Sequence, residues 1–378
     1  MGRLHGRIIV FTRALPKLVF KALRRKPAQP ARILIAHQLL LGDALLLTAL
    51  IAKTRRQYPS AQIVLACPKG IAPLYAGRPL GVTALAFDPR DKASIQRLTD
   101  SGPYDLGIVA GDNRYSWLAL AAGCRWIVAH GGDRPAWKNW PVDEPIAYPD
   151  APAAWAELAA GLVEGAAPRP YRLDDWPTPP VSTPLPTGLR ERRYVVLHPG
   201  ASSAVKRWPA QRWRELAQRI EAQGYTIVWS GGQGETALVA EAAPGSTHLN
   251  LAGRLDLAGM WHLLAGAHAV VCPDTGIAHL ARLVGVPTVA LFGPGNPAIH
   301  GAGRYWQNAP FVALAAANLA CRDQTTLFRR RVSWVRRCSR SAATCVAWRD
   351  GHADCMTAHS VDAVYRALQS AMALARAR

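Results

Sequence analysis

Short apolar runs alternate with longer amphipathic segments from residue 31 onward, and this pattern predicts the fold class. Apolar strands are predicted over 32–37, 62–66, 82–87 and 105–110, with helices over 43–58, near 70–77 and over 91–100. Short apolar strands that alternate with helices are typical of parallel βαβ units. The first half of the chain is therefore expected to form an α/β domain.

The same alternation returns after a proline-rich stretch. Residues 174–190 contain five prolines and predict a stiff linker. Beyond it, strands are predicted over 194–198, 226–230, 269–272 and 288–292, with helices over 209–223, 235–243 and 275–284. Two similar α/β halves joined by a linker imply a cleft between them. Open α/β sheets bind ligands beyond the carboxyl ends of their strands.

Composition agrees with two domains and adds a strong positive charge. The chain has 378 residues, half of them apolar, and domains usually contain roughly 100–200 residues. Its 45 basic residues outnumber 25 acidic ones, for a net charge of +20, and 37 of the 45 are Arg. Arginine-favouring codons explain part of this excess. The rest indicates a polyanionic partner: nucleic acid, an anionic membrane surface or a phosphorylated substrate. Because the sequence has no helix-turn-helix, RNP or zinc-finger pattern, nucleic acid is not expected.

The first 30 residues carry cations and large apolar residues but no acid, since the first acidic residue is Asp43. This mixture is typical of an amphipathic basic helix on an anionic membrane, split in two by Pro16. A loose basic arm is an equally good interpretation. The chain has no apolar run of the ~18–20 residues that a membrane span needs, and no signal-peptide core. A cytoplasmic location is expected.

Four predicted strand-to-helix turns in the second half have the composition of anion sites. Helix N-termini present free N–H groups and positive dipole, so they hold phosphates. In HPGASSAVKRWP (198–209), small residues and the hydroxyls of Ser202 and Ser203 precede the cation Lys206. An ordinary polar loop is the alternative.

The next turn, SGGQGE (230–235), lacks the dinucleotide-binding glycine spacing. Glu235 either stabilises the helix start or accepts from ribose hydroxyls. The fourth turn, FGPGN (292–296), is suited to closing over a base or sugar.

The third turn, DTGIAH (274–279), directly follows an apolar strand. Asp274 is expected to cap the helix, while Thr275 and Gly276 present N–H groups to a pyrophosphate. His279 lies one turn further on the same face. A buried structural histidine is the alternative for that residue.

In the first half, LLLGDALLLT places one acid, Asp43, inside an apolar stretch at a strand-to-helix turn. Asp is a preferred N-cap, which is the structural interpretation. The functional interpretation is a general base, with Gly42 permitting close approach of a substrate.

The order and spacing of these motifs resemble glycosyltransferase family 9, the ADP-heptose:lipopolysaccharide heptosyltransferases. The resemblance runs over about residues 31–370 and includes RILIAHQLLLGDALLLTAL, HPGASSAVKRWP, LAGRLDLAGM and PDTGIAHLARLVGVPTVALFGPGN. It implies an α/β GT-B fold of two Rossmann-like domains facing across a cleft. It also implies inverting, metal-independent transfer from a nucleotide-activated heptose, with no cofactor.

The resemblance assigns roles to single residues. Asp43 matches the catalytic carboxylate, with Gly42 on the acceptor side, and Lys206 matches the pyrophosphate-binding lysine. The donor motif and its neighbours are matched by Ser202, Ser203, Glu235, Asp274, Thr275, Gly276 and His279.

The implied organisation has five parts. They are a basic extension over 1–30, an acceptor-binding domain over 31–175, a linker over 176–190, a nucleotide-sugar-binding domain over 191–358, and a C-terminal helix over 359–378 that returns to the first domain.

The implied partners are ADP-heptose, a lipid A-core acceptor and the anionic inner membrane, with the enzyme peripheral on its cytoplasmic face. Another nucleotide-sugar donor, a protein acceptor or a non-catalytic sugar-nucleotide-binding module remain alternatives. A late cluster of Cys321, Cys338, Cys345 and Cys355 contains no C-x-x-C pair, so free thiols are favoured over a metal site or disulfides.

Overall fold

The computed structural model describes residues 2–245, 247–301, 303–317 and 319–376, with only the backbone of residues 2–5. The chain divides into two compact units. The first contains Met1–Arg169, Asp174–Pro179 and Thr326–Val335, and the second contains Pro170–Leu173, Pro180–Thr325 and Arg336–Arg378.

The first unit is built on a six-stranded parallel sheet in the order β3-β2-β1-β4-β5-β6. Its strands are β1 Arg32–Ala36, β2 Gln62–Cys67, β3 Thr83–Ala86, β4 Tyr104–Val109, β5 Cys124–His130 and β6 Glu144–Ile146. Central strands of such a sheet are covered on both faces, which explains why their residues form apolar runs. In β1, Ile33, Leu34, Ile35 and Ala36 are completely buried.

Six helices belong to this unit. They are α1 Gly2–Val19, α2 Leu41–Leu46, α3 Thr48–Gln57, α4 Lys92–Asp100, α5 Tyr115–Ala121 and α6 Trp155–Ala160. The predicted helix over 43–58 is two helices that meet at Leu47, and α5 carries a continuous apolar surface into the core.

The N-terminal segment packs on the first unit, which corrects the loose-arm interpretation and the expected split at Pro16, while its contact with a membrane stays a prediction. One helix, α1, runs through Pro16 instead of breaking there. Its inner face packs on α5, with Ala14 buried and the rings of Phe11 and Trp117 4.8 Å apart. Beyond the helix, Arg24 forms an ion pair with the buried side chain of Asp143. Tertiary packing of an apolar face outweighs the local penalty of a proline near the helix end.

The second unit repeats the same topology. Its parallel sheet has the order β12-β11-β10-β7-β8-β9. The strands are β7 Tyr194–Leu197, β8 Thr226–Trp229, β9 Leu249–Asn250, β10 Ala269–Pro273, β11 Thr288–Phe292 and β12 Phe311–Ala315. Counted within each unit, both sheets have the strand order 3-2-1-4-5-6 of the Rossmann fold. The predicted fold class, α/β with two Rossmann-like domains, is confirmed.

The helices of the second unit are α7 Ala210–Glu221, α8 Thr236–Ala242, α9 Leu257–Gly266, α10 Gly276–Val284, α11 Pro297–His300, α12 Asp354–Thr357 and α13 Val361–Arg376. One face of α7 is buried: Trp213, Leu216, Ala217 and Ile220 all lie in the core. Helix α13 packs on α7, β11 and β12 of this unit. The C-terminal helix therefore belongs to the second unit, which corrects its predicted return to the first domain.

Two short hairpins lie between β12 and α12. One pairs β13 Thr326–Leu327 with β14 Arg330–Arg331, and the other pairs β15 Trp348–Arg349 with β16 His352–Ala353. The first hairpin lies in the first unit, so residues 326–335 depart from the predicted domain 191–358. The division between units falls at Pro179 and Pro180, inside the predicted linker. This linker is not free of contacts, because Trp176 is buried and donates a hydrogen bond to the Leu74 carbonyl.

Among the helices described, none is both long and apolar enough to cross a lipid bilayer.

Candidate functional site

The predicted site residues follow strands that flank the switch point of each sheet. In the first unit β1 lies beside β4, and in the second β7 lies beside β10. At such a point the chain leaves the neighbouring strands in opposite directions, and a crevice opens beyond their carboxyl ends. Asp43 follows β1, Lys206 follows β7 and Asp274 follows β10. Each unit thus presents its polar residues where its topology favours ligand binding.

Lys206 and Asp274 form the central contact of the second unit. The Lys206 Nζ donates to the main-chain oxygen of Asp274 at 2.7 Å and to its Oδ2 at 3.1 Å. Asp274 is only 6% exposed. Burial by itself raises the pKa of this carboxyl, but the charge of Lys206 holds it below its usual range. The sequence predicted both residues for one site, and the structure brings them into direct contact.

Asp274 is not the cap of α10, which corrects the capping expectation. Thr275 occupies the N-cap position in an extended conformation, and no side chain caps this helix end. A Cβ atom on Gly295, in the turn after β11, would lie 2.4 Å from Oδ2 of Asp274. The FGPGN turn therefore closes directly over the carboxylate, and only glycine fits at its fourth residue.

The N-terminus of α10 offers polar groups that the described residues do not satisfy. The Thr275 hydroxyl and His279 Nδ1 are buried without a hydrogen-bond partner in the described part of the chain. Burial, assisted by the nearby charge of Arg282, lowers the pKa of His279 well below its usual value, so the ring is neutral. Gly276, the first residue of the helix, carries no side chain to obstruct the free N–H groups. This end of the helix is suited to an anion.

Glu235 lies in a second cluster, at the ends of β7 and β8. Its Oε2 accepts a hydrogen bond from the Gly232 N–H at 2.7 Å and lies 3.9 Å from His198 Nε2. A Cβ atom on Gly200 would approach the same oxygen to 2.1 Å. Glu235 therefore makes the helix-start contact that the sequence suggested, while its carboxylate lies directly over the Gly200 backbone.

His198 was not among the predicted site residues, although it begins the HPGASS motif. Its Nδ1 and the Ser230 Oγ are 3.0 Å apart. Burial lowers the pKa of His198 to about 4, although the Glu235 carboxylate opposes the shift. The neutral ring links the turns after β7 and β8.

Ser202 and Ser203 occupy the turn that leads from β7 to Lys206. Ser202 is exposed and Ser203 half-buried, and neither hydroxyl makes a hydrogen bond within the described residues. Their role in donor binding stays a prediction.

In the first unit, Asp43 is the third residue of α2 and half-buried, with Gly42 directly before it. Leu40 is the N-cap of this helix, and it makes no side-chain capping bond. The N-cap interpretation of Asp43 is therefore wrong. The main-chain oxygen of Asp43 accepts a hydrogen bond from Trp155 Nε1 at 3.1 Å.

His37 is a site residue that sequence reasoning missed. It is completely buried at the end of β1, and its Nδ1 accepts from the Leu39 N–H at 3.2 Å. The proton of the neutral ring therefore lies on Nε2, which has no hydrogen-bond partner among the described residues. Burial lowers the pKa of His37 to about 3, against the opposing effect of Asp43. The sequence did contain a signal: the first strand of each half ends in a histidine.

The late cysteine cluster is brought together in the second unit. Cys321, Cys338, Cys345 and Cys355 line one small cavity of about 30 Å³. All seven cysteines are free thiols, and burial, with the neighbouring thiols, raises the pKa of Cys355 to about 11. Among the described residues, no group of three or more His, Cys, Asp or Glu side chains is arranged to hold a metal ion.

Two Rossmann-like sheets in one chain, each with polar residues at its switch point, define the GT-B class of fold. Solved structures with this fold include glycosyl transferase family 9 from Veillonella parvula, with a TM-score of 0.69 at 16% identity over 91% of this chain and 97% of that one. ADP-heptose lps heptosyltransferase II of Escherichia coli gives a TM-score of 0.64 at 18% identity, over 90% and 98% of the two chains.

Sequence comparison identifies the family. Residues 98–330, well over half of the chain, match the model of glycosyltransferase family 9 (heptosyltransferase). Over 111 residues the chain is 42% identical to lipopolysaccharide heptosyltransferase 1 of Pseudomonas aeruginosa, covering 29% of this chain and 31% of that protein. In the first such alignments the chain spans between 31% and 42% of its relatives' length. The chain belongs to glycosyltransferase family 9.

Proposed function

We propose that this protein transfers heptose from ADP-heptose to a sugar of the lipopolysaccharide inner core, with inversion and without a metal ion. Family membership and the names of the relatives support a heptosyltransferase. The observation that carries the proposal is the contact between Lys206 and Asp274, beside the uncapped N-terminus of α10 and at the switch point of a Rossmann-like sheet.

The second unit is proposed to hold the donor. A diphosphate placed at the N-terminus of α10 accepts from its free N–H groups and from Lys206, whose ammonium has three donors. The Thr275 hydroxyl supplies a further donor. Glu235, fixed over Gly200, is placed to accept from ribose hydroxyls. In this arrangement Asp274 orients the Lys206 ammonium.

Asp43 of the first unit is proposed as the general base. The acceptor hydroxyl attacks the anomeric carbon, its proton moves to the Asp43 carboxylate, and the bond from that carbon to the ADP oxygen breaks. Attack from the opposite face inverts the anomeric centre. Because the His37 ring is neutral, it places no positive charge beside this carboxylate, and such a charge would weaken Asp43 as a base.

Metal independence is proposed because this chain has its own means of stabilising the leaving group. The charge that develops on the departing ADP falls where Lys206 and the dipole of α10 are already fixed. Preorganised donors of this kind stabilise the transition state without rearranging during the reaction.

A membrane-bound acceptor is proposed to meet the enzyme at an apolar surface formed by the outer face of α1 and the short segment that follows it. After the inner face has packed on the first unit, several large apolar side chains remain exposed: Ile8, Leu15, Val19, Phe20 and Leu23. Val19 and Leu23 are 79% and 77% exposed. Exposed apolar residues among cations are suited to the surface of an anionic bilayer. We place the enzyme on the cytoplasmic face of the inner membrane, where it is peripheral.

Mass spectrometry of the core oligosaccharide from a deletion strain tests the proposed activity. The account predicts the loss of one heptose and of everything attached to it. The wild-type gene should restore the core, and a gene with Asp43→Asn should not. A full-length core in the deletion strain would contradict the proposed reaction.

A further inference from the structure

The β13–β14 hairpin of the first unit has a strained tip. Its two turn residues, Phe328 and Arg329, have φ angles of 44° and 65°. A two-residue hairpin turn of this kind favours Asn and Gly, because left-handed backbone disfavours side chains with a Cβ. Strain of this sort persists where the surrounding structure enforces it, and it concentrates at functional sites.

Arg330 locks the hairpin onto the first unit. Its buried guanidinium donates to the main-chain oxygens of Gly131 at 2.8 Å and Gly111 at 2.6 Å, and to Asn113 Oδ1 at 2.6 Å. It also lies 3.6 Å from the carboxylate of Asp133. Because these contacts hold the Arg330 guanidinium, they fix the position of the strained turn that directly precedes it.

Arg329 and Arg331 flank this anchor and are exposed. Together with Arg134 they line a groove of about 1100 Å³ within the first unit, which also contains Tyr148 and the single acid Asp150. We call this the arginine groove. None of its three exposed arginines forms an ion pair or hydrogen bond with a described residue, and the Tyr148 hydroxyl is buried without a partner there. The groove therefore presents unneutralised guanidinium groups, which suit phosphate and carboxylate oxygens.

The tip of the hairpin that carries Arg329 is connected to Asp43 by direct contacts. The rings of Phe328 and Trp155 lie 4.3 Å apart, and the Trp155 indole donates to the main-chain oxygen of Asp43. On the groove wall, Tyr148 stacks on His130 at 4.4 Å. The hairpin tip thus rests on the residue that supports the helix of the proposed base.

We propose that the arginine groove binds the anionic groups of the saccharide acceptor and that Arg329 is a specificity-determining residue. This inference rests on the proposed transferase function and deepens it. Because Arg329 has a positive φ, its side chain costs local stability that glycine would not. The ligand class is therefore a saccharide that carries phosphate or carboxylate groups.

The Arg329→Gly variant separates this role from a structural one. It should keep or raise the melting temperature, because it relieves a left-handed residue. It should also raise the acceptor KM about tenfold or more with little change in kcat. Asp350→Gly is the matched control, since Asp350 has a φ of 48° at the tip of the β15–β16 hairpin in the second unit. That variant should relieve similar strain without changing the acceptor KM.

The assay uses a deacylated, soluble lipid A core before and after phosphatase treatment, together with calorimetric binding of the same two molecules. Arg331→Gln and Arg134→Gln should raise the KM in the same direction. Removal of the phosphates should shrink the difference between wild type and Arg329→Gly; a difference that persists assigns the carboxylates as ligands. Normal transfer with unchanged KM and binding in all three arginine variants would overturn the inference. If no transfer from ADP-heptose occurs, the proposed function fails, while calorimetry still decides whether the groove binds the anionic core.

Discussion

The ends of β1 and β7 occupy equivalent places in two sheets of the same order, and each is followed by a buried histidine. His37 lies near the Asp43 carboxylate, and His198 lies 3.9 Å from Glu235. Both rings are held neutral by burial. Beyond this point the two turns differ. The first leads into an apolar helix with one carboxylate, and the second leads through small residues to Lys206.

This difference shows which part of the chemistry the fold provides. The repeated topology supplies two crevices, and the residues after each strand decide what each crevice does. A half-buried carboxylate at the start of an apolar helix is suited to accept a proton. A lysine fixed by a buried carboxylate beside a helix N-terminus is suited to hold a diphosphate. The comparison therefore supports the proposal that proton transfer belongs to the first unit and donor binding to the second.

The largest expected effect comes from Asp43→Asn, which keeps the shape of the side chain and removes its basicity. Turnover at saturating substrates should fall by ~10²–10⁴, the usual contribution of a general base. Asp350→Asn is a matched control, because it removes the same charge at an exposed turn and Asn tolerates its positive φ. Near-normal turnover of Asp43→Asn would show that Asp43 is not the general base.

Acid should destabilise the fold through the buried histidines of both units. Between pH 6.5 and about 4 the unfolded chain binds a proton at each of these residues, whereas native His37 and His198 do not. The free energy of unfolding should therefore fall as pH falls through this window. In His198→Asn, the free energy of unfolding, measured by urea titration, should depend less steeply on pH over that range. A slope equal to that of wild type would show that His198 protonates in the native state.

A smaller effect is expected from Gly200→Ala, which places a Cβ against Oε2 of Glu235. The flexible carboxylate can move, so thermal stability should change little, while the donor KM should rise several-fold. Gly234→Ala is the control within the neighbouring turn, since a Cβ there meets no atom within 4 Å. Equal donor KM values for the two variants would show that Glu235 does not bind the donor.

The smallest effect is expected at the apolar surface formed by the outer face of α1 and the short segment that follows it. Phe20→Ser with Leu23→Ser should reduce sedimentation with anionic vesicles at low salt by a few-fold, without lowering the melting temperature, because both side chains are exposed. Val181→Ser with Val346→Ser changes two equally exposed apolar residues elsewhere and serves as the control. If the two double variants behave alike, this face has no special role at the membrane.

Local pattern predicted eight of the twelve strands described in the two sheets and the cluster of Lys206 with Asp274, because apolar runs and turn residues are read within a few positions. The strand over 288–292 and the contact of Lys206 with Asp274 are examples. It did not predict β5, β6, β9 or β12. Contacts across long sequence separations were not accessible in this way. Arg330 bonds to oxygens of Gly111 and Gly131, about 200 residues away, and α1 depends on a packing face on α5. Membership of α13 in the second unit is likewise set by tertiary contacts that no local pattern encodes.

The proposed division of function gives donor binding to the second unit and proton transfer to the first. Calorimetric titration of ADP into wild type, Asp43→Asn and Lys206→Ala tests this division most directly. The account predicts that Asp43→Asn binds ADP within a few-fold of wild type. Lys206→Ala should bind it roughly 10–100-fold more weakly, since a hydrogen bond to a charged group contributes about 1.5–3 kcal/mol. Arg207→Ala, which removes the adjacent exposed cation, controls for general loss of charge. Equal ADP affinity in wild type and Lys206→Ala would contradict the assignment of donor binding to the second unit.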